Sequence, residues 1–208
     1  MVVAWPGGAC VCPETTEGCP VPFSTRASCL YLVRHAHAGW GPDEDRPLSV
    51  RGRIAARRVA EVLAAFPIDG IYSSPARRAR ETVAPLAERL GLPIRVEPDL
   101  RERQLGSGPV TGFEQAVEAT WSDPLFAHPG GESNAVAQQR GVAVVYRLLQ
   151  HVGAHRVLAT HGNLLALLLQ HFDPAIGFPL WRSLTMPDIY RLSLSGAGAV
   201  ATERLWER

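Results

Sequence analysis

From Cys29 onward, short runs of apolar or β-branched residues alternate with longer stretches in which apolar residues recur at helical spacing. That is the pattern of βαβ units wound about a mostly parallel sheet. Cys29-Leu-Tyr-Leu-Val33 reads as a buried strand. Ser49 is placed to cap a helix in which Val50, Ile54, Val59, Val62, Leu63 and Phe66 recur, ending near Pro67. Ile68 to Tyr72 reads as a second strand, Pro75 opens an Arg-rich helix that runs through Leu90 and stops at Gly91, and Leu92 to Val96 reads as a third strand. Ser133 is placed to cap a helix to about Val152, with Val136, Arg140, Val144 and Leu148 on one stripe, and His155 to Thr160 predicts a fourth strand. Leu164 to Leu169 is apolar all round, which predicts a buried helix, and Ile189 to Leu194 with Val200 to Leu205 predicts a closing hairpin. Residues 98–131 are rich in Gly and Pro and predict a loop region carrying a short helix from Phe113 to Thr120. A loop of that length inside a compact domain is usually functional.

The first residues do not share this pattern. Cys10, Cys12, Cys19 and Cys29 all fall within the first 29 residues, together with Pro6, Pro13, Pro20 and Pro22. Zinc knots use two close pairs of ligands separated by a folding loop, and the spacing here matches no such arrangement. The expected organisation is an irregular arm over residues 1–27 and one α/β domain over 28–208.

Composition narrows the function classes. With 208 residues, 46% of them hydrophobic, the chain can bury a sizeable core. Its 21 basic and 20 acidic side chains leave a net charge of +1, which argues against a nucleic-acid partner of the backbone-neutralising kind. All the basic residues are Arg, a planar fork of donors suited to phosphate and carboxylate. No apolar stretch approaches the ~20 residues that span a bilayer, and the start has no basic segment of the secretory type, so no membrane partner and a cytoplasmic location are expected. No feature bears on the oligomeric state.

The chemistry falls at predicted strand ends, where open α/β sheets build their sites. Arg34-His35-Ala36-His37 follows the first strand, Ser73-Ser74-Pro75-Ala76-Arg77-Arg78-Ala79 the second, Leu100-Arg101-Glu102-Arg103-Gln104-Leu105-Gly106 the third, and Thr160-His161-Gly162-Asn163 the fourth. Two His, several Arg and one Glu therefore converge on one edge of the sheet. Taken in this order, with Pro129-Gly-Gly-Glu-Ser133, these segments resemble the histidine phosphatase superfamily, the phosphoglycerate mutase-like fold, over roughly residues 29–205.

The resemblance implies a three-layer α/β/α sandwich and a phosphomonoester hydrolase working through a covalent phosphohistidine on a small phosphorylated metabolite. It implies His35 as nucleophile, Arg34 and Arg78 as the phosphate clamp, His161 as a donor to the phosphoryl group, and Glu102 as the acid that protonates the leaving alkoxide and then activates water. These residue types suit the reaction: phosphoryl transfer needs charge neutralised on equatorial oxygens and a nucleophile in line, and cations beside an imidazole keep it unprotonated. Arg103, His37 and Asn163 join Arg34 and Arg78 as candidate substrate-binding residues. No cofactor is implied, and no carboxylate cluster suited to a metal accompanies the site. Arg77, Arg80, Arg57 and Arg58 read as solvated helix faces.

Gly41 stands where many members have Asn, Ala36 replaces a usual Gly, and Gly106-Ser-Gly-Pro-Val-Thr-Gly112 replaces a pattern centred on Trp, which points to a reshaped substrate pocket. The compact 98–131 region favours a phosphatase over the alternative, a phosphoglycerate mutase-type transferase, whose intermediate must be enclosed while it turns over. A second alternative, a silent phospho-ligand binding module, needs neither an in-line nucleophile nor an acid. The substrate itself is not legible, because specificity resides in loops.

Overall fold

In the computed structural model, which describes residues 28–39, 45–108, 111–150, 153–194 and 200–207, the first apolar run becomes β1 (Ser28–Arg34), buried except at Arg34. It is followed by α1 (Val50–Leu63), β2 (Gly70–Ser73), α2 (Arg77–Leu90), β3 (Ile94–Val96), a single 3₁₀ turn at Pro98–Leu100, and α3 (Phe113–Ser122). The second half comprises α4 (Asn134–Leu148), β4 (His155–Thr160), α5 (Gly162–Phe172), α6 (Phe178–Ser183), β5 (Asp188–Leu194) and β6 (Val200–Arg204). The proposed arm, Gly41 and Val152 lie outside the described residues.

The six strands form one sheet in the order β3-β2-β4-β1-β5-β6. The first four are parallel, whereas β5 and β6 run antiparallel as a hairpin added beside β1. Alternation along the central strands sorts the core into two layers. Leu30, Leu32, Leu158 and Leu192 face Val144, Leu148 and the Leu164–Leu165–Leu168 surface of α5. Tyr31, Val33, Ile71, Val157 and Ile189 face Val59, Leu63, Val83 and Leu86 of α1 and α2. The result is the expected α/β/α sandwich, its sheet covered on both sides as parallel strands require.

Local chemistry explains the helix ends. Ser49 Oγ accepts from Gly52 N at 3.1 Å and Ser133 Oγ from Val136 N at 3.3 Å, so both predicted caps form. Gly91 ends α2 in the left-handed region at φ 65°, where a side chain would be strained. Two readings need correction. Val50, Ile54 and Val136 are exposed, because α1 buries Gly52, Ala56, Val59, Ala60 and Leu63, and α4 buries Ala137, Gly141, Val144, Val145 and Leu148. The helix begun at Ser133 ends at Leu148 and not near Val152. The 98–131 segment carries the expected short helix as α3, and Trp121 of that helix donates to Asn163 Oδ1 at 3.0 Å and ties this insertion to the start of α5. Among the described residues no helix is long and apolar enough to cross a membrane.

Candidate active site

His35 is the first residue beyond β1, and its N–H continues the ladder to Thr160 O at 3.0 Å. The loop it opens is fastened to α2: Ala36 N donates to Thr82 Oγ1 at 2.9 Å, and that hydroxyl donates to Arg78 O at 2.7 Å. The ring is 9% exposed. Arg78 Nε donates to His35 Nε2 at 3.3 Å. A guanidinium has no acceptor, so Nε2 carries the lone pair and Nδ1 the proton, which is donated to Ala36 O at 2.8 Å.

His161, the first residue beyond β4, is 1% exposed, and its ring centroid lies 5.2 Å from that of His35 with the planes at 69°. Nη2 of Arg78 reaches His161 Nδ1 at 3.2 Å, which places the proton of this ring on Nε2, donated to Ser74 Oγ at 2.7 Å. Arg78 thus touches both imidazoles. Burial holds His35 well below the usual histidine range, and the neighbouring His161, Arg78 and Arg34 push it the same way against the opposing hydrogen bond to Ala36 O. His161 is likewise held well below that range by burial first, then by Arg78, Arg140, Arg34 and Arg46. Both rings are neutral at pH 7.

Arg34 is held by its outer edge, where Nη1 donates to Leu184 O at 2.9 Å and Thr185 O at 3.3 Å. Its Nε is buried without a hydrogen-bond partner, and a Cβ at Gly162 would lie 3.0 Å from Cζ and from Nε. Glycine at that position lets the guanidinium approach the start of α5 closely; a methyl there would make it give way by a few tenths of an ångström. The helices that begin here, α2 and α5, turn their positive ends toward the two rings, an environment that favours an anion.

Glu102 caps α5. Its Oε1 accepts from Arg103 N at 2.9 Å and Leu164 N at 3.0 Å, and Oε2 from Asn163 N at 3.0 Å. The segment carrying it is clamped from behind by Arg140, which donates to the carbonyls of Asp99 (2.6 Å), Arg101 (3.0 Å) and Glu102 (3.3 Å) while forking onto Glu132 at 2.7 and 2.8 Å. Glu132 is 11% exposed in its side chain; Arg140 and Arg101 hold its carboxyl below the usual range against the effect of burial, so it is spent as a brace.

The remaining candidates separate. Arg103 is 5% exposed, with Nε and Nη1 buried without hydrogen-bond partners and its pKa lowered by burial. His37 binds Ser49 Oγ through Nδ1 at 2.8 Å and lines a cavity of about 450 Å3 together with Arg51, Leu184, Thr185 and Met186. Asn163 accepts from Trp121 Nε1 through Oδ1 at 3.0 Å and donates from Nδ2 to Asn134 Oδ1 at 3.0 Å, which joins the insertion to the site. Ser74 and Arg140 were not singled out from the sequence; the Ser-Ser-x-x-x-Arg segment signalled the first, and nothing local signals the second.

A buried imidazole with its Nε2 lone pair directed at an arginine, a second buried imidazole beside it and a carboxylate that caps the adjoining helix are thus brought together at the ends of β1 and β4. Residues 30–201 match the family model of the histidine phosphatase superfamily, branch 1. The chain belongs to this superfamily. Glucosyl-3-phosphoglycerate phosphatase of Mycobacterium tuberculosis is 32% identical to this histidine phosphatase over 165 residues, covering 69% of this chain and 74% of the relative. A protein of Escherichia fergusonii named "Probable phosphoglycerate mutase GpmB" is 28% identical over 167 residues, covering 73% and 76%. The native structure of mycobacterial glucosyl-3-phosphoglycerate phosphatase superposes with a TM-score of 0.71 at 28% identity, covering 86% of this chain and 97% of the other.

Proposed function

We propose that this histidine phosphatase hydrolyses phosphomonoesters of small metabolites by way of a phosphohistidine on Nε2 of His35. The observation that carries the reading is the Arg78–His35 contact, which leaves Nε2 unprotonated inside a cationic, buried pocket. The phosphoryl group takes the unpartnered Nε edge of Arg34 and the Arg78 guanidinium as its clamp. Nε2 attacks phosphorus, the bond to the leaving oxygen breaks, and the leaving oxygen takes its proton from Glu102. Both Glu102 oxygens accept backbone N–H groups in the free site, so that proton arrives with the acid form of the phosphomonoester, whose second pKa is about 6. Water then attacks the phosphohistidine, Glu102 takes a proton from it, and His35 departs neutral with inorganic phosphate as the product.

His161 serves the transition state. Ser74 can donate as well as accept, so a shift of the Ser74 proton toward Nε2 lets the ring carry its own proton on Nδ1, facing the phosphoryl oxygens once Arg78 Nη2 turns to them.

The test is a phosphate-release screen over several dozen phosphomonoesters. Glucosyl-3-phosphoglycerate, the substrate in the name of the mycobacterial relative, heads the panel, with phosphoglycerate isomerisation measured alongside. Phosphate release outrunning isomerisation supports the hydrolase; isomerisation without release would place the chain with the mutases.

A further inference from the structure

Across β1 from β4, the strand that ends just before His161, stands an ion pair that the proposed reaction does not use. Asp188 opens β5 and is the register partner of Arg34 across the β1–β5 ladder. Its carboxylate is wholly buried. A buried carboxylate directly across from Arg34 is its natural counter-ion and a rival to any phosphate.

Asp188 is nevertheless already saturated. Its Oδ1 accepts from Arg204 Nε at 2.9 Å and Ile189 N at 3.1 Å, and its Oδ2 from Arg204 Nη2 at 2.7 Å and Thr185 N at 2.8 Å. Those four donors fill the four lone-pair positions of a carboxylate, and the Thr185 hydroxyl stands a further 3.2 Å from Oδ2. The Thr185 hydroxyl closes the same turn by donating to Pro187 O at 2.6 Å. The turn thereby fixed is the one whose Leu184 and Thr185 carbonyls hold Nη1 of Arg34. Arg204 sits on the edge strand β6 with its side chain 29% exposed, and it also reaches Thr185 Oγ1 and the Tyr190 ring.

We propose that Arg204 and Asp188 are positioning residues for Arg34: the Arg204 fork occupies the Asp188 carboxylate, so that Arg34 stays on the 184–185 carbonyls with its Nε edge free for a phosphoryl oxygen. This rests on the phosphate-clamp role given to Arg34 above. Asp188 acts twice, through the turn it staples and through the charge that Arg204 keeps it from spending on Arg34. Burial lowers the pKa of Arg34, and the Coulombic pull of Glu102 and, less, of Asp188 opposes it.

Removing Arg204 leaves two Asp188 lone pairs open beside Arg34, and the guanidinium is drawn off the phosphate position. Removing the Asp188 charge as well takes away the pull. A purely structural ion pair behaves differently, because the second substitution then cannot restore what the first one lost.

The experiment measures competitive inhibition by inorganic phosphate, with kcat and KM for p-nitrophenyl phosphate, in wild type, Arg204→Gln, Arg204→Lys and the Asp188→Asn/Arg204→Gln double variant, each checked for folding by circular dichroism and thermal unfolding. In Arg204→Gln the Ki for phosphate and KM rise about tenfold while kcat stays within about threefold, and the double variant returns to within about threefold of the wild-type Ki. Arg204→Lys, which keeps the charge without the fork, falls between wild type and Arg204→Gln and supplies the comparison if the glutamine variant does not fold. A folded Arg204 variant with wild-type Ki, or a double variant no better than the single one, overturns the inference and leaves the phosphatase assignment standing. A wild type that phosphate does not inhibit overturns the assignment of the site, and this inference with it.

Discussion

Nε of Arg78 donates across 3.3 Å to Nε2 of His35, while Nη2 of the same guanidinium reaches Nδ1 of His161 at 3.2 Å. Because arginine can only donate, both facing nitrogens are acceptors, and the two ring protons point outward, to Ala36 O and to Ser74 Oγ. One side chain from the first turn of α2 therefore sets the tautomer of two rings that enter the site from different strands. In the proposed mechanism an arriving phosphoryl group replaces these two acceptors with its own oxygens, so binding substrate and freeing Nε2 of His35 are the same event.

The two imidazoles make stability depend on pH in a defined direction. Both are held well below the ordinary histidine pKa of about 6.5, so the unfolded chain binds these protons at a pH where the folded chain does not. Stability is complete above about pH 6.5 and falls on acidification below it, by up to about 1.4 kcal/mol per pH unit for each ring. His37 and His171, also depressed by burial, act in the same sense. Denaturant unfolding at pH 7, 6 and 5 should show this decline, and His161→Asn should flatten it; a stability independent of pH over that interval would contradict buried neutral rings.

Gly162→Ala should damage phosphate binding with little cost in folding. The added methyl would press on Cζ and Nε of Arg34 at 3.0 Å, pushing the guanidinium off the face of α5. Alanine is at least as good a helix former, so the thermal midpoint should hold while KM and the Ki for inorganic phosphate rise about tenfold. A variant with unchanged Ki would show that Arg34 does not clamp phosphate from this position.

How much was legible in the sequence follows the physics of each signal. Cys29 to Val33 and His155 to Thr160 read correctly because a strand buried on both faces reads as an apolar run, and the candidate segments Arg34-His35 and Thr160-His161 were legible because each sits where such a strand stops. The faces of α1 and α4 misread because hydrophobic periodicity weights large side chains. These helices approach their neighbours through Gly52, Ala56, Ala60, Ala137 and Gly141, and Val50, Ile54 and Val136 are left outside. Helix α6 spans six residues, less than two turns, too short to show a period. The Arg140 brace and the Trp121–Asn163 tie join residues 38–42 positions apart. Tertiary pairings of that kind leave no trace in local pattern.

Glu102→Gln separates acid catalysis from positioning. A general acid contributes roughly 10²–10⁴-fold when the leaving oxygen needs a proton and much less when it leaves as a stable anion. The variant should therefore lose severely on an alkyl phosphate and only mildly on p-nitrophenyl phosphate, as kcat/KM for both will show. The same change weakens the cap on α5, at a cost of about 1 kcal/mol in unfolding free energy. Equal losses on the two substrates would make Glu102 a structural cap alone.

The central claim is that Nε2 of His35 becomes phosphorylated during turnover. Wild-type protein mixed with ³²P-labelled substrate and quenched in alkali should retain label that is stable to base and released by acid, and peptide mapping should place it on His35. His35→Ala, folded by circular dichroism, should trap none and show no turnover on either an alkyl phosphate or p-nitrophenyl phosphate. Label on a serine, threonine or aspartate, or substantial turnover by the folded His35→Ala variant, would contradict the account.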